Sequence, residues 1–309
     1  MDTNNKRKSV MKRGQSILLF VVVFAVVLTI VVMTAHPQRL LNNFDGESTA
    51  NHYLDTNDGF YLGELSGGAI TGNGQYVLAI GSSYDGTWNT KELPDGEGVL
   101  TLIDIGTYTG EMSDGLREGT GMFTWLNGDQ YSGAWRDDAI HGNGTITYKN
   151  GNTLSGTFEN NELTNGTFTA TLKIGILTIL IDQHSIDQAV LTLTDGTKYT
   201  GALVDGKFNG DCTIQYANGD TYEGNVSANV KSGNGTYTWK NKAFYKGEWS
   251  KDKMNGAGVY YYTASMSGAR LQGEFDNNAP TSSMIYYDKS GNKFKTTWED
   301  GKCTKVERS

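Results

Sequence analysis

A tyrosine, one spacer residue and a glycine recur at a nearly constant interval along this chain, and that period constrains the fold more than any other feature. The pairs are Tyr61/Gly63, Tyr84/Gly86, Tyr108/Gly110, Tyr131/Gly133, Tyr199/Gly201, Tyr222/Gly224 and Tyr245/Gly247, with Leu154/Gly156 and Leu271/Gly273 in the same frame. Successive openings lie 23, 24, 23, 23, 45, 23, 23 and 26 residues apart. The interval of 45 holds two units, so a degenerate copy is expected near 177–198. A fixed period of this length marks an array whose units bury their apolar faces against their neighbours.

Each unit carries further marks. A bulky residue follows the opening residue by four positions at Trp88, Trp135, Phe158, Trp249 and Phe275. A Gly-x-Gly comes later, as in Gly72/Gly74, Gly119/Gly121, Gly142/Gly144 and Gly233/Gly235. Tyr-x-Gly-x-Trp alternates with the period of a strand, which places all three marked residues on one face. Gly-x-Gly and the alternating Thr, Tyr or Trp after it read as a second strand. Asn127-Gly128, Asn150-Gly151, Asp195-Gly196 and Asn218-Gly219 are hairpin signals, for which a type I′ turn with both central φ positive is expected. Rings of one strand are expected over glycines of the next. With 40 Gly, 17 Tyr and only 3 Pro in the chain, many tight turns between short strands fit the composition, and the missing triplet period excludes collagen.

The consensus Y-x-G-x-(W/F)…G-x-G-x-x-x-(Y/W)-x-x-G resembles the membrane occupation and recognition nexus (MORN) repeat. Its clearest copies are 131–152, 222–244 and 245–263, and the likeness spans about residues 59–300. The resemblance implies an all-β fold, an elongated single-layer array of tandem antiparallel β-hairpins. It also implies a protein-interaction platform, in some members a homodimer. Three places depart from the pattern. Leu154 and Leu271 replace the tyrosine, the 84–107 copy has Leu-Ile for its second aromatic, and 165–198 loses Gly-x-Gly and carries the apolar run Ile174–Ile181. That run is too short to span a bilayer as a helix. It reads either as strands of a degenerate unit or as an exposed patch for a partner.

Upstream, residues 16–35 (SILLFVVVFAVVLTIVVMTA) are apolar except for small hydroxyl residues, long enough for one transmembrane α-helix. The competing reading is a cleaved signal peptide, whose apolar region should be shorter. Lys6, Arg7, Lys8, Lys12 and Arg13 precede the segment, so the expected topology is a basic cytoplasmic tail (1–15), a single-pass helix (16–35), a polar stalk (36–58), the array (59–300) outside, and a C-terminal tail (301–309).

Residues 1–13 contribute +4 to an overall −8, which leaves −12 for the remainder. A balance of that sign argues against nucleic acid as a partner. Cys212 and Cys303 are about ninety residues apart and read as free thiols. His36, His52, His141 and His184 form no metal-spaced pair, and no catalytic, cofactor or phosphate-binding motif stands out. Asp137-Asp138 reads as part of a solvated acidic face. The expected function is a non-enzymatic, membrane-anchored scaffold that presents an acidic, aromatic-grooved face to a protein or to itself. Trp88, Trp125, Trp135, Trp239 and Trp249 are the candidate partner-binding residues, because tryptophan is enriched in binding hot spots. The alternative is a cell-surface carbohydrate- or envelope-binding repeat protein.

Overall fold

Two kinds of turn organise the chain. At one end of the hairpins sit two-residue turns in which both central residues have positive φ: Asp137/Asp138 (48° and 64°), Asn160/Asn161 (49° and 71°), Ala228/Asn229 (52° and 73°), Lys251/Asp252 (51° and 65°) and Asn277/Asn278 (49° and 72°). This is the type I′ geometry that matches strand twist. At the other end sit longer loops. Gly128 N donates to Trp125 O (2.9 Å) and Trp125 N donates to Asp129 O (2.9 Å), with positive φ at Gly128 alone. That is a type I turn closed by one left-handed glycine. The Asn-Gly pairs therefore close the three-residue loops, not the type I′ turns expected for them. Asp114/Gly115, Asp205/Gly206 and Asp300/Gly301 keep a glycine in the type I′ position, but the five turns named above fall on Asp, Asn, Lys and Ala, whose left-handed cost must be met elsewhere.

The computed structural model describes residues 52–263 and 266–309. Among these there are 23 strands and no α-helix, and every recorded strand pairing is antiparallel between consecutive strands, as in the pair Gln130–Arg136 with Ala139–Thr147. The expected helix at 16–35 and the basic tail lie outside the described residues, and no helix among those described is long and apolar enough to cross a membrane. His52–Asp55, within the stretch read as stalk, pairs with Gly59–Ser66. Lys302–Arg308, read as tail, pairs with Lys293–Glu299. Both add a rung that gives an otherwise open edge its backbone hydrogen bonds.

The chain divides into two compact units. The first comprises residues up to Phe168 with 182–184, and the second comprises 169–181 with 185–309. In the first, one buried cluster holds Tyr84, Tyr108, Phe123, Tyr131, Trp135, Ile140 and Phe158, beside a smaller one at Leu54, Tyr61, Ile70 and Tyr76. In the second, Phe208, Cys212, Ile214, Tyr222, Tyr245, Trp249, Leu271, Phe275 and Met284 form the core. The opposite strand faces carry threonine, serine and charge, as the alternating burial along Gln130–Arg136 illustrates.

The two glycines of each Gly-x-Gly do different jobs. The first sits in the left-handed region (Gly119 at 62°, Gly142 at 65°, Gly233 at 63°) at a bulge opposite the Tyr-x-Gly strand of its own repeat. The second is the floor under a ring: a Cβ on Gly121, Gly144, Gly235 or Gly258 would overlap Tyr108, Tyr131, Tyr222 or Tyr245 respectively.

The glycines of the Tyr-x-Gly pairs have a third job. Six of the seven stand directly across the ladder from a floor glycine: Gly63 from Gly74, Gly86 from Gly98, Gly110 from Gly121, Gly133 from Gly144, Gly224 from Gly235 and Gly247 from Gly258. A Cβ on any of Gly63, Gly86, Gly110, Gly133, Gly224 or Gly247 would collide with the Cα opposite and with the hydroxyl of its own unit's tyrosine. The expected stacking of rings over the next strand's glycines thus holds for the floor glycines and needs correction for these six. What crosses them is the tip of the tyrosine two residues earlier on the same strand. A paired glycine rung leaves room for that tip, so both glycines are required for the tyrosine to lie flat and inside.

Where the pattern lapses, the floor changes too. Cys212 stands opposite Gly201, and Tyr199 stacks on Phe208 instead (5.7 Å, 23°). Opposite Gly273, Met284 fills the room that a ring takes elsewhere.

Candidate functional site

The opening tyrosines are fully inside. Tyr61, Tyr108, Tyr131, Tyr222 and Tyr245 have no exposed area, while Tyr84 keeps 4%. Each hydroxyl turns back to donate to the carbonyl three residues on, for example Tyr108 to Glu111 O (2.7 Å) and Tyr131 to Ala134 O (2.8 Å). Burial pushes the Tyr61, Tyr84, Tyr131 and Tyr245 phenols up to about 12. Tyr199 stays partly exposed.

The five candidate tryptophans separate into two groups. Trp88, Trp135 and Trp249 stand edge-on to two opening tyrosines each: Trp135 lies 5.2 Å from Tyr108 and 5.3 Å from Tyr131, and Trp249 lies 5.4 Å from both Tyr222 and Tyr245. Their indole N–H groups donate to Gly74 O, Gly121 O and Gly235 O (2.9, 3.2 and 3.1 Å). Such geometry makes them mortar between successive repeats, each worth more than its buried area alone. Trp125 ends the second strand of its repeat and Trp239 directly follows one; both keep an accessible side, and they pack on Phe123 (5.1 Å) and Tyr237 (5.0 Å). In the second unit Trp239 belongs to a run of half-buried rings in which Tyr216, Tyr237, Trp239, Tyr260, Tyr262 and Tyr286 each touch the next at 5.0–6.0 Å.

Nine residues after the opening tyrosine comes a side chain that plugs the space between these rings. It is Ile70, Ile140, Phe208 or Met254 in some units, but Arg117 and Lys231 in two others. The Arg117 guanidinium carbon lies 4.3 Å from the centre of the Trp135 ring, and Nε donates to Asp138 Oδ1 at 3.0 Å while Nη2 donates to the Asp138 carbonyl at 2.7 Å. The pair is almost sealed, with side-chain exposures of 4% and 2%. Burial lowers the Arg117 pKa, and Asp138 opposes the shift. Asp138 is therefore not part of a solvated face; only its turn partner Asp137 is exposed. Lys231 Nζ lies 5.2–5.7 Å from the rings of Tyr216, Tyr222, Tyr237 and Trp249, donates to Tyr216 Oη (3.1 Å), and faces Asp252 at 3.7 Å. Burial likewise pulls its ammonium below the usual lysine value, with Asp252 opposing.

These acids belong to a repeated clamp. In five type I′ turns the second residue gives its N–H to the plug residue's carbonyl and takes the plug's N–H on its own side chain: Asp138 with Arg117 (3.1 and 2.9 Å), Asn161 with Ile140 (2.9 and 2.8 Å), Asn229 with Phe208 (3.0 and 2.7 Å), Asp252 with Lys231 (3.1 and 2.9 Å) and Asn278 with Met254 (3.0 and 2.8 Å). Two such bonds, each worth about 0.5–1.5 kcal/mol net, offset the left-handed backbone. The turn residue is Asp where the plug is a cation and Asn where it is apolar. None of Arg117, Asp138, Lys231 and Asp252 stood out in the sequence as a site. A charge in an otherwise apolar column of the repeat, with Asp twenty-one residues on, was the signal available.

In the first unit this arrangement encloses a cavity of about 20 Å³ lined by Arg117, Phe123, Trp125, Trp135, Asp138, Ile140 and Asn161. The buried Asp138 Oδ2 has no hydrogen-bond partner. Among the described residues, no group of three or more His, Cys, Asp or Glu could hold a metal ion. Both cysteines are free thiols, Cys212 buried and Cys303 exposed.

The MORN repeat model matches six segments, 61–83, 108–130, 131–153, 199–221, 222–243 and 245–265. No curated protein matches the sequence. Among solved structures, the chain is similar to the TCP10 domain of Danio rerio CPAP, solved in complex with a peptide of Danio rerio STIL. The TM-score is 0.34 at 9% identity, over 63% of this chain and 97% of that one. A likeness this weak carries no argument about binding.

Proposed function

We propose that this MORN-repeat array is a non-enzymatic interaction scaffold, tethered by the apolar segment at 16–35, with its N-terminus cytoplasmic and the repeats on the far side of the membrane. The observation that carries the reading is the row of half-buried rings from Tyr216 to Tyr286 in the second unit. Intra-unit packing consumes the opening tyrosines and three of the tryptophans but leaves one side of this row uncovered. Uncovered aromatics of this kind supply binding energy at low entropic cost. The partner is a protein, or a second copy of this chain in a homodimer.

Cross-linking in the native membrane, followed by identification of the captured chains, tests the scaffold. Recovery of discrete partners, lost on Trp239→Ala with Tyr260→Ala, is the expected result; capture unaffected by those changes removes the reading. Protease added to intact cells should trim the repeats if the topology is right, whereas full protection reverses it. A carbohydrate partner is the second reading, favoured by the accessible faces of Trp125 and Trp239, onto which a sugar ring stacks. Saturable binding on a glycan array would select it.

A further inference from the structure

The cavity beside Asp138 has features that the packing of the first unit leaves unused. Its walls are the rings of Phe123, Trp125 and Trp135, and Trp125 keeps an accessible side. At its base Arg117 occupies Oδ1 of Asp138 and leaves Oδ2, buried and without a partner. A buried carboxylate oxygen with no donor is costly, and native structures seldom leave one unsatisfied. A volume of about 20 Å³ takes one water-sized group. An ammonium head meets that limit; a planar guanidinium does not.

Three observations favour a cation there. Residues 52–168 hold sixteen acidic and four basic side chains, a net −12, and that field attracts positive charge. The walls are aromatic, and ring faces hold cations. The chain itself also twice seats a cation among rings with an aspartate alongside, Arg117 in this unit and Lys231 with Asp252 in the other. A carboxylate that bridges Arg117 and a second, incoming cation uses both its oxygens, and the net −12 of residues 52–168 offsets the positive charge that the incoming group adds.

From this geometry we infer that the cavity is a subsite for the lysine ammonium of a basic partner segment, with Trp125 as the movable wall and Asp138 Oδ2 as the acceptor. The inference rests on the scaffold reading and names the chemistry of its partner. The partner segment is basic, and a lysine serves it better than an arginine.

The test uses the full chain in mild detergent and a short labelled peptide alternating lysine and glycine, with arginine and glutamine counterparts. Saturable binding in the order lysine, arginine, glutamine is expected. Trp125→Ala and Asp138→Asn should each weaken the lysine peptide about tenfold, the scale of one desolvated cation contact. Glu97→Gln, which removes one charge from the opposite strand face, should leave binding unchanged. Because Asp138→Asn also disturbs Arg117, its fold is checked by thermal unfolding, and Trp125→Ala carries the test if it unfolds. Equal binding of arginine and lysine peptides, or an equal loss with Glu97→Gln, means diffuse attraction and overturns the subsite. So does an unchanged affinity in Trp125→Ala. Discrete cross-linked partners that bind independently of their lysines would sink this inference while the scaffold stands; an absence of partners would sink the scaffold itself.

Discussion

Arg117 in the first unit and Lys231 in the second occupy the same repeat position, beneath the same kinds of ring and beside the same kind of turn, yet they are held differently. Arg117 and Asp138 are sealed at 4% and 2% exposure, and the guanidinium reaches both the carboxylate and the turn carbonyl. Lys231 is at 11%, but Asp252 is 52% exposed and its closest oxygen is 3.7 Å away. The difference follows from the side chains. A guanidinium is planar, weakly hydrated and able to satisfy several acceptors at once. An ammonium is a compact point charge, and here it settles on a ring hydroxyl and the ring faces. The first arrangement is a buried ion pair whose removal exposes a bare charge; the second is close to a surface pair, for which little energy is at stake.

That contrast can be broken by mutation. Asp138→Ala should cost about 3–5 kcal/mol, because it strands a buried guanidinium and removes a clamp. Denaturant unfolding followed by tryptophan fluorescence measures it, and a loss below about 1 kcal/mol would show that the pair is wetter than its burial implies. Next in size is Gly144→Ala, expected to cost roughly 3 kcal/mol, since its Cβ would overlap the Tyr131 ring. Gly235→Ala should cost as much under Tyr222, so equal losses in the two units would confine the contrast to the plug position. The double change Arg117→Met with Asp138→Asn converts the first unit to the Met254/Asn278 combination that the chain already uses. It should recover most of the Asp138→Ala loss, to within about 1 kcal/mol of the parent. Smallest is Asp252→Asn, which keeps the clamp and should change stability by under about 1 kcal/mol.

Alkaline pH sharpens the comparison from another side. The phenols of Tyr131 and Tyr245, one in each unit, are raised from 10.0 to about 12 by burial. A group whose pKa is higher in the fold lends stability that is complete below the unfolded value and is lost as pH rises through the folded one. Both units should therefore weaken between pH 10.0 and about 12, visible as tyrosinate absorbance rising together with loss of β signal. Lys231 has the opposite sign. Its lowered pKa means that its charge costs stability at neutral pH and that the cost is relieved as pH climbs towards 10.5.

The degenerate stretch shows where legibility stopped. Gly175–Asp182 and Ser185–Leu193 are strands joined by a two-residue turn at Gln183/His184, so a hairpin persists without Gly-x-Gly. Leu177 and Ile179 pack inward as expected of a buried strand, while Ile174 and Ile176 remain 57% and 49% exposed. Both readings of the apolar run thus describe part of it, because alternation sends neighbouring residues to opposite faces. For the candidate site, the tryptophans were visible in the sequence, but their accessibility was not. Trp135 and Trp125 differ in whether an adjacent unit supplies a second tyrosine edge.

The sequence alone determined the repeat, the two-strand unit and the identity of its seam, since a fixed spacing of tyrosine, glycine and tryptophan allows a strand only one buried face. It also held, unread, the pairing of cation with Asp and apolar plug with Asn. Only the tertiary structure decided which glycine carries a ring and which faces another glycine, because that depends on ladder register between strands. It decided too which turn takes which backbone form, because left-handed residues at Asp138 and Asn161 are tolerable only when a neighbouring hairpin returns both hydrogen bonds. And it decided that one aspartate of an acidic pair is buried with one of its oxygens unpartnered. That rests on contacts between residues some twenty positions apart, which strand periodicity does not encode.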